Sequence, residues 1–147
     1  MPKQEVKPVT TTGNWGDLSD RKISMETAKK FSTKIKTDGS IVTHHLYGYF
    51  NELGTQIGSK IRQTKDKRMW VEGDISDAVL FGQNIFSPKG KYITICEGEV
   101  DAMSAYELMG SKWPSVSIKT GAASALGDCK KAFSYLDSFD TVVLCFD

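Results

Sequence analysis

Apolar and polar positions change rhythm near the middle of this 147-residue chain. Residues 1–20 are polar, carry Pro, Thr and Gly, and keep no steady period, which reads as a flexible lead-in. Ser24 precedes Met25-Glu26-Thr27-Ala28-Lys29-Lys30-Phe31. A serine there accepts from an orphan backbone N–H and predicts a short helix to about Phe31. Thr27 stands where a capping box wants Glu or Gln, so that second contact is missing. From Ile41 to Phe50 β-branched and aromatic residues crowd together. Asn51-Glu52-Leu53-Gly54 signals a turn, and Thr55 to Arg62 resumes an alternating pattern, so the stretch predicts an antiparallel hairpin.

The second half reads differently. Tyr92-Ile93-Thr94-Ile95-Cys96 is a short apolar run of the buried-strand kind. Glu99 to Met109 reads as a helix, with Gly110 as its stop. Pro114 to Ile118 is strand-like, a helix runs from Ser124 or Asp128 to about Leu136, and Thr141 to Phe146 is a third apolar strand. Strand, helix, strand, helix, strand predicts βαβαβ with parallel strands and helical crossovers.

Composition narrows the class. With 39% hydrophobic and 25% charged residues the chain is of ordinary globular make-up. No apolar run reaches the roughly 20 residues of a membrane span, and no apolar stretch follows the N-terminus, so a cytoplasmic location is expected. Three cysteines, Cys96, Cys129 and Cys145, form no Cys-x-x-Cys pair and lie far from His44-His45. They read as core thiols, and no zinc site is expected. The net charge of +1 hides an asymmetry: residues 1–75 hold 13 Lys+Arg against 9 Asp+Glu, and residues 76–147 hold 6 against 9. A basic front and an acidic back suit a protein that meets polyanions with one part and cations with the other.

The acidic back has a focus. In open parallel sheets, chemistry gathers beyond the carboxyl ends of strands. Glu97 directly follows the first strand and Asp147 the third. Gly98 is expected to let the chain turn sharply. Asp101 falls in the first turn of the next helix, with Glu99 between. Clustered carboxylates repel unless a cation joins them, and hard oxygen donors suit Mg²⁺. A first-turn position is also what the helix dipole favours for Glu99 and Asp101. Glu97, at the strand-to-helix junction, has no such plain explanation. The small residues Gly121-Ala122-Ala123-Ser124 after the second strand would let backbone N–H groups approach an anion, or simply make a tight turn.

These residues resemble a known pattern. Ile93-Thr94-Ile95-Cys96-Glu97-Gly98-Glu99-Val100-Asp101-Ala102-Met103-Ser104 is similar to the first Toprim motif, an apolar strand ending in Glu-Gly. Val142-Val143-Leu144-Cys145-Phe146-Asp147 is similar to the second, a strand running into Asp-x-Asp. Leu80 to Phe86, Pro114 to Ser124, and Lys60-Ile61-Arg62 followed by Lys65-Asp66-Lys67 resemble the primase-helicases of short-tailed, T7-like phages. The resemblance covers about residues 20–147. It implies an α/β fold: a small mixed α+β subdomain with a β-hairpin (21–88), then a Rossmann-like Toprim half-domain (89–147), incomplete at its C-terminus. It implies that Glu97 holds metal and acts in acid–base chemistry, that Asp147 is the first aspartate of the metal pair, and that Asp101 supports the metal shell. The second aspartate of the pair would fall at position 149. Neither a zinc-binding module nor an ATPase P-loop is found, since Gly58-Ser59-Lys60 lacks the spacing, so the chain is expected to be a piece of a longer protein.

Lys60, Arg62, Lys65, Lys67 and Arg68 put five cations in nine residues, with Asp66 the one anion and Trp70 close behind. Alternation places Lys60 and Arg62 on one strand face. Such a segment is either a solvated hairpin edge or a grip on template or nucleotide, and beside a Toprim-like core the second is favoured. The activity implied by the resemblance is Mg²⁺-dependent synthesis of RNA primers from ribonucleoside triphosphates on single-stranded DNA, in an infected bacterium, with a helicase domain further along the full-length protein. The rivals are a Toprim nuclease or topoisomerase-like strand cleaver, for which Tyr106 is a poor nucleophile, and an inert nucleic-acid-binding fragment. Little or no priming by these 147 residues alone is expected.

Overall fold

The computed structural model describes residues 12–146, and the chain divides after Ala78 into two units.

The first unit is built on an antiparallel sheet of four strands in sequence order: β1 (Thr33–Asp38), β2 (Ile41–Phe50), β3 (Gln56–Gln63) and β4 (Met69–Gly73). The predicted hairpin is its centre, with Leu46 opposite Ile61 and Tyr47 opposite Lys60. β1 and β4 were not legible as strands, because Lys, Thr and Asp fill β1 and a basic turn leads into β4. Helix α1 (Met25–Lys30) begins where the serine predicts, with Ser24 Oγ accepting from Thr27 N at 3.3 Å. Of the lead-in, residues 1–11 lie outside the described residues. Asn14 makes both bridge hydrogen bonds to Ile35, each 2.9 Å, and Ser19–Arg21 form a 3₁₀ turn. Leu18, Ile23, Ala28, Phe31, Ile35, Tyr47 and Tyr49 are buried in this unit.

The second unit is the predicted βαβαβ arrangement. Strand β5 (Tyr92–Cys96) leads into α2 (Glu99–Leu108), and β6 (Ser115–Ser117) follows. The single helix expected next is instead a 3₁₀ turn (Ala122–Ser124), α3 (Ala125–Lys131) and α4 (Phe133–Asp137), broken at Ala132. Strand β7 (Thr141–Cys145) completes a parallel sheet of order β6-β5-β7, so β5 is central. Phe81 and Ser117 exchange backbone bonds of 3.1 and 3.0 Å beyond β6. One face of the sheet packs Ile93, Ile95, Val116 and Ile118 against Leu80, Ala132, Leu136 and Phe139. On α2, Ala102, Met103 and Tyr106 are buried, and Ser115 Oγ donates to Ala102 O at 2.8 Å. Each fully buried Ile contributes about 1.5–3 kcal/mol, whereas an exposed ion pair contributes about 0–1. Burial of these side chains, rather than surface ion pairs, therefore holds β5 and β6 to the helices that cover them.

Candidate metal edge and basic hairpin

The sheet of the second unit sets its site. Parallel pairing puts Cys96 of β5 opposite Cys145 of β7. The ends of both strands therefore meet one edge, and Glu97, half-buried, is the next residue along β5. Asp147 lies outside the described residues; Phe146 is the last one before it. Asp101 is exposed in the first turn of α2, while Glu99 of the same turn is buried.

Gly98 works differently from the expectation. Its backbone is extended (φ −130°, ψ 162°), which any residue adopts, so no sharp turn demands glycine. What glycine provides is space: a Cβ here would lie 3.3 Å from Asp101 Oδ2. The Asp101 carboxylate thus leans back over the junction that carries Glu97. Gly121, by contrast, has φ +95° and needs its glycine. The segment after it starts α3, a helix of seven residues.

Sequence reasoning missed two groups beyond β6. Lys119 is buried, and its backbone N–H donates to Asp128 Oδ2 at 2.9 Å, with Asp128 buried too. Ile118 N donates to Cys96 O at 3.2 Å, so this segment follows β6 along the carboxyl edge of the sheet. A lysine directly after a strand end was the available signal. The core-thiol reading holds for Cys96, which is fully buried, and Cys129 packs at the edge of the core. It fails for Cys145, which is exposed along with the other residues of β7. Burial first, then the neighbouring Cys145, pushes the Cys96 thiol up to about 12.

Whether the donors suit Mg²⁺ can be tested on their chemistry. Glu97 and Asp101 offer hard oxygens at one junction, the cation's preferred type, and the space at Gly98 that a Cβ would fill keeps the Asp101 carboxylate there. Among the described residues no three His, Cys, Asp or Glu side chains come together as a metal site. Two carboxylates with waters and substrate phosphates is the usual state of a Mg²⁺ site, so the donors fit an open site.

The five basic residues divide. Lys60 and Arg62 share a sheet face as alternation predicts, opposite Tyr47 and His45 respectively. Lys60 is buried, its ammonium 5.6 Å from the Tyr49 ring centroid. Lys65, Lys67 and Arg68 are exposed in the turn between β3 and β4. Trp70 pairs with Ile61 and so lies on the other face from Lys60 and Arg62. There its Nε1 donates to Glu72 Oε1 at 3.3 Å, and its ring meets His44 edge-on at 6.1 Å. Behind Arg62, His45 is buried, with Nε2 3.0 Å from Asp20 Oδ1 and Nδ1 2.9 Å from Tyr47 Oη. Burial holds the His45 imidazole below its ordinary pKa, against the opposing pull of Asp20.

No family model matches the chain. Individual proteins do. It is 33% identical over 138 residues to a DNA helicase/primase of Enterobacteria phage T3, covering 93% of this chain and 24% of that protein. Its fold matches the crystal structure of the primase fragment of the bacteriophage T7 primase-helicase with a TM-score of 0.87 and 32% identity, over 99% of this chain and 61% of that one. A second T7 structure holds the lagging-strand DNA polymerase interacting with primase domains bound to an RNA/DNA hybrid and dTTP. It matches at 34% identity and a TM-score of 0.79, over 92% of this chain and 67% of that chain. The chain belongs to the phage primase-helicase family, in its primase part. It spans about a quarter of the T3 relative. The mixed α/β fold with one antiparallel and one parallel sheet is that of the T7 primase fragment. Among the described residues no helix is long and apolar enough to cross a membrane.

Proposed function

We propose that this chain is the catalytic part of a phage primase that joins ribonucleotides into an RNA primer on single-stranded DNA, with a helicase domain elsewhere in the full-length protein. The observation that carries this reading is the parallel register of β5 and β7, which brings Glu97 and the end of β7 to one sheet edge. Mg²⁺, when bound, stabilises the attacking and leaving oxygens of nucleotidyl transfer. Glu97 and Asp147 would hold it, and Asp101 would orient the shell. Glu97 would also take the proton of an attacking 3′-hydroxyl. Lys65, Lys67 and Arg68 give exposed phosphate contacts, and Lys60 and Arg62 add positive charge on the inner face of the same hairpin.

Strand cleavage in the manner of a topoisomerase is disfavoured by Tyr106. That side chain is buried, with its ring 5.7 Å from Phe86, and is not presented to DNA. The test is primer synthesis by the full-length protein with labelled ribonucleotides and Mg²⁺. Glu97→Gln should lower the rate by about 10²–10⁴-fold, the usual worth of a positioned proton-transfer group, and leave DNA binding unchanged. A near-wild-type rate for that variant would remove Glu97 from the chemistry.

A further inference from the structure

The first unit carries a recess on the sheet face away from Lys60 and Arg62. It measures about 210 Å³ and is lined by Trp15, Ser32, Lys34, Gly48, Gln56 and Ser59 among others. Gly48 and Ser59 are paired across β2 and β3 and form its floor. A Cβ at Gly48 would stand 3.0 Å from Ser32 O and 3.4 Å from the Gln56 amide nitrogen, so glycine is what keeps the floor open. Gln56 Nε2 donates to Ser59 Oγ at 3.0 Å, which sets an amide and a hydroxyl side by side in the wall.

Trp15 is the unusual member. It is 42% exposed, a large apolar surface left partly in water. It is nevertheless held in place, because its neighbour Asn14 is bridged to Ile35 on both sides. The ammoniums of Lys34 and Lys29 lie 5.1 and 5.9 Å from its ring centroid. Lys30 and Lys36 add to the positive charge of the same stretch of chain. A fixed indole, two ammoniums over its ring and a small polar-walled recess are the parts of a single-strand nucleotide site: an entering base displaces the ammoniums from the ring and stacks in their place, the flexible lysines swing out to the flanking phosphates, and the amide and hydroxyls hydrogen-bond the base edge.

We propose that this recess takes one base of a single-stranded polynucleotide, stacked on Trp15 with its flanking phosphates on Lys29 and Lys34. The site is separate from the basic turn between β3 and β4, though its biological use rests on the primase reading above. It would hold the strand on both faces of one sheet.

The test uses this chain with Trp70→Phe and Trp113→Phe, leaving Trp15 as its one tryptophan. Oligo-dT of eight nucleotides should quench the Trp15 emission, oligo-rU should do so equally, and an abasic strand of the same length should not. Trp15→Leu should weaken dT binding about 5–100-fold, the worth of one base stacked on an aromatic ring, and Trp15→Phe should recover most of it. Equal quenching by the abasic strand, or no quenching by dT, overturns the proposal. A Lys65→Gln, Lys67→Gln, Arg68→Gln variant separates the two readings. If it binds dT as tightly as the parent while Trp15 still quenches, the role of the basic turn fails and the recess stands. If it loses affinity while Trp15 never responded, the recess fails and the basic turn stands.

Discussion

Cys96 and Cys145 stand directly opposite one another in the parallel pairing of β5 and β7. They differ in everything else: Cys96 is fully buried and Cys145 is exposed. The thiolate is the reactive form of cysteine, and Cys96, its thiol raised to about 12, has almost none at neutral pH. Iodoacetamide at pH 8 should therefore label Cys145 quickly and leave Cys96 unmodified until the fold is opened with denaturant. Cys129, half-buried with its thiol also pushed up by burial, should react slowly. Peptide mass spectrometry reads all three sites. Rapid native labelling of Cys96 would mean that β5 is not the central strand.

Gly98 offers a finer test of the metal edge than any carboxylate deletion. Its backbone accepts alanine, but the new Cβ would press on Asp101 Oδ2 from 3.3 Å. Gly98→Ala in the full-length protein should lower Mg²⁺ affinity about tenfold, and Asp101→Asn about 10–100-fold, as for groups that orient metal ligands. Calorimetric titration of Mg²⁺ measures both, with circular dichroism to show that α2 persists. An unchanged affinity for both variants would leave Asp101 as a helix-dipole residue only.

The exposed cations at the β3–β4 turn should act through counterion release. Removing Lys65, Lys67 and Arg68 together should reduce the slope of log affinity against log salt by roughly 2, at about 0.7 for each phosphate contact to a single strand. Arg68 already faces Asp66, with Nε 3.8 Å from Oδ2, so its own share should be the smallest of the three. Fluorescence anisotropy with labelled oligo-dT at several salt concentrations gives the slope. A slope that does not move would return this turn to the role of a solvated edge.

His45 predicts a pH dependence of stability. Its folded-state pKa is lowered below the ordinary 6.5, so the unfolded chain binds a proton more readily than the folded one. The stability contributed by neutral His45 is fully present above pH 6.5 and is lost as pH falls from there through the lower, folded value. The groups that face it are Asp20, Arg21, Tyr47 and Arg62, and Asp20 limits the effect by favouring the charged ring. The melting temperature should drop between pH 7 and 5, and His45→Gln should flatten that drop. A variant that melts with the parent's full pH profile would assign the loss to other groups.

How far these features could be read from sequence follows from the kind of signal each leaves. β5 and β7 were legible as short, mostly apolar runs, α2 because Gly110 marks its stop, and Glu97 because it directly follows the first of those runs. The hairpin of β2 and β3 showed in its β-branched and aromatic residues. β1 escaped because an outer strand can be Thr-Lys-Ile-Lys-Thr-Asp and still pair with Ile41 to Tyr47. The break at Ala132 was hidden because nothing in Ala125 to Leu136 forbids one continuous helix. Trp70 was placed beside the cations by sequence distance alone, and the pairing of Ile61 with Trp70 puts it on the other face. The reach of Lys119 N–H to Asp128, nine residues on, has no local signature at all.

Strand β7 has one practical outcome for anyone handling this chain. Val142, Val143 and Leu144 are all exposed, and β5 pairs with only one margin of the strand. Among the described residues no strand pairs with the other margin of β7, and within Thr141–Cys145 no charged side chain guards it, so it is an edge open to pairing with another chain. Solutions of the 147-residue polypeptide should thicken into reversible clusters as concentration rises, and a lysine in place of Val143 should keep them clear by light scattering.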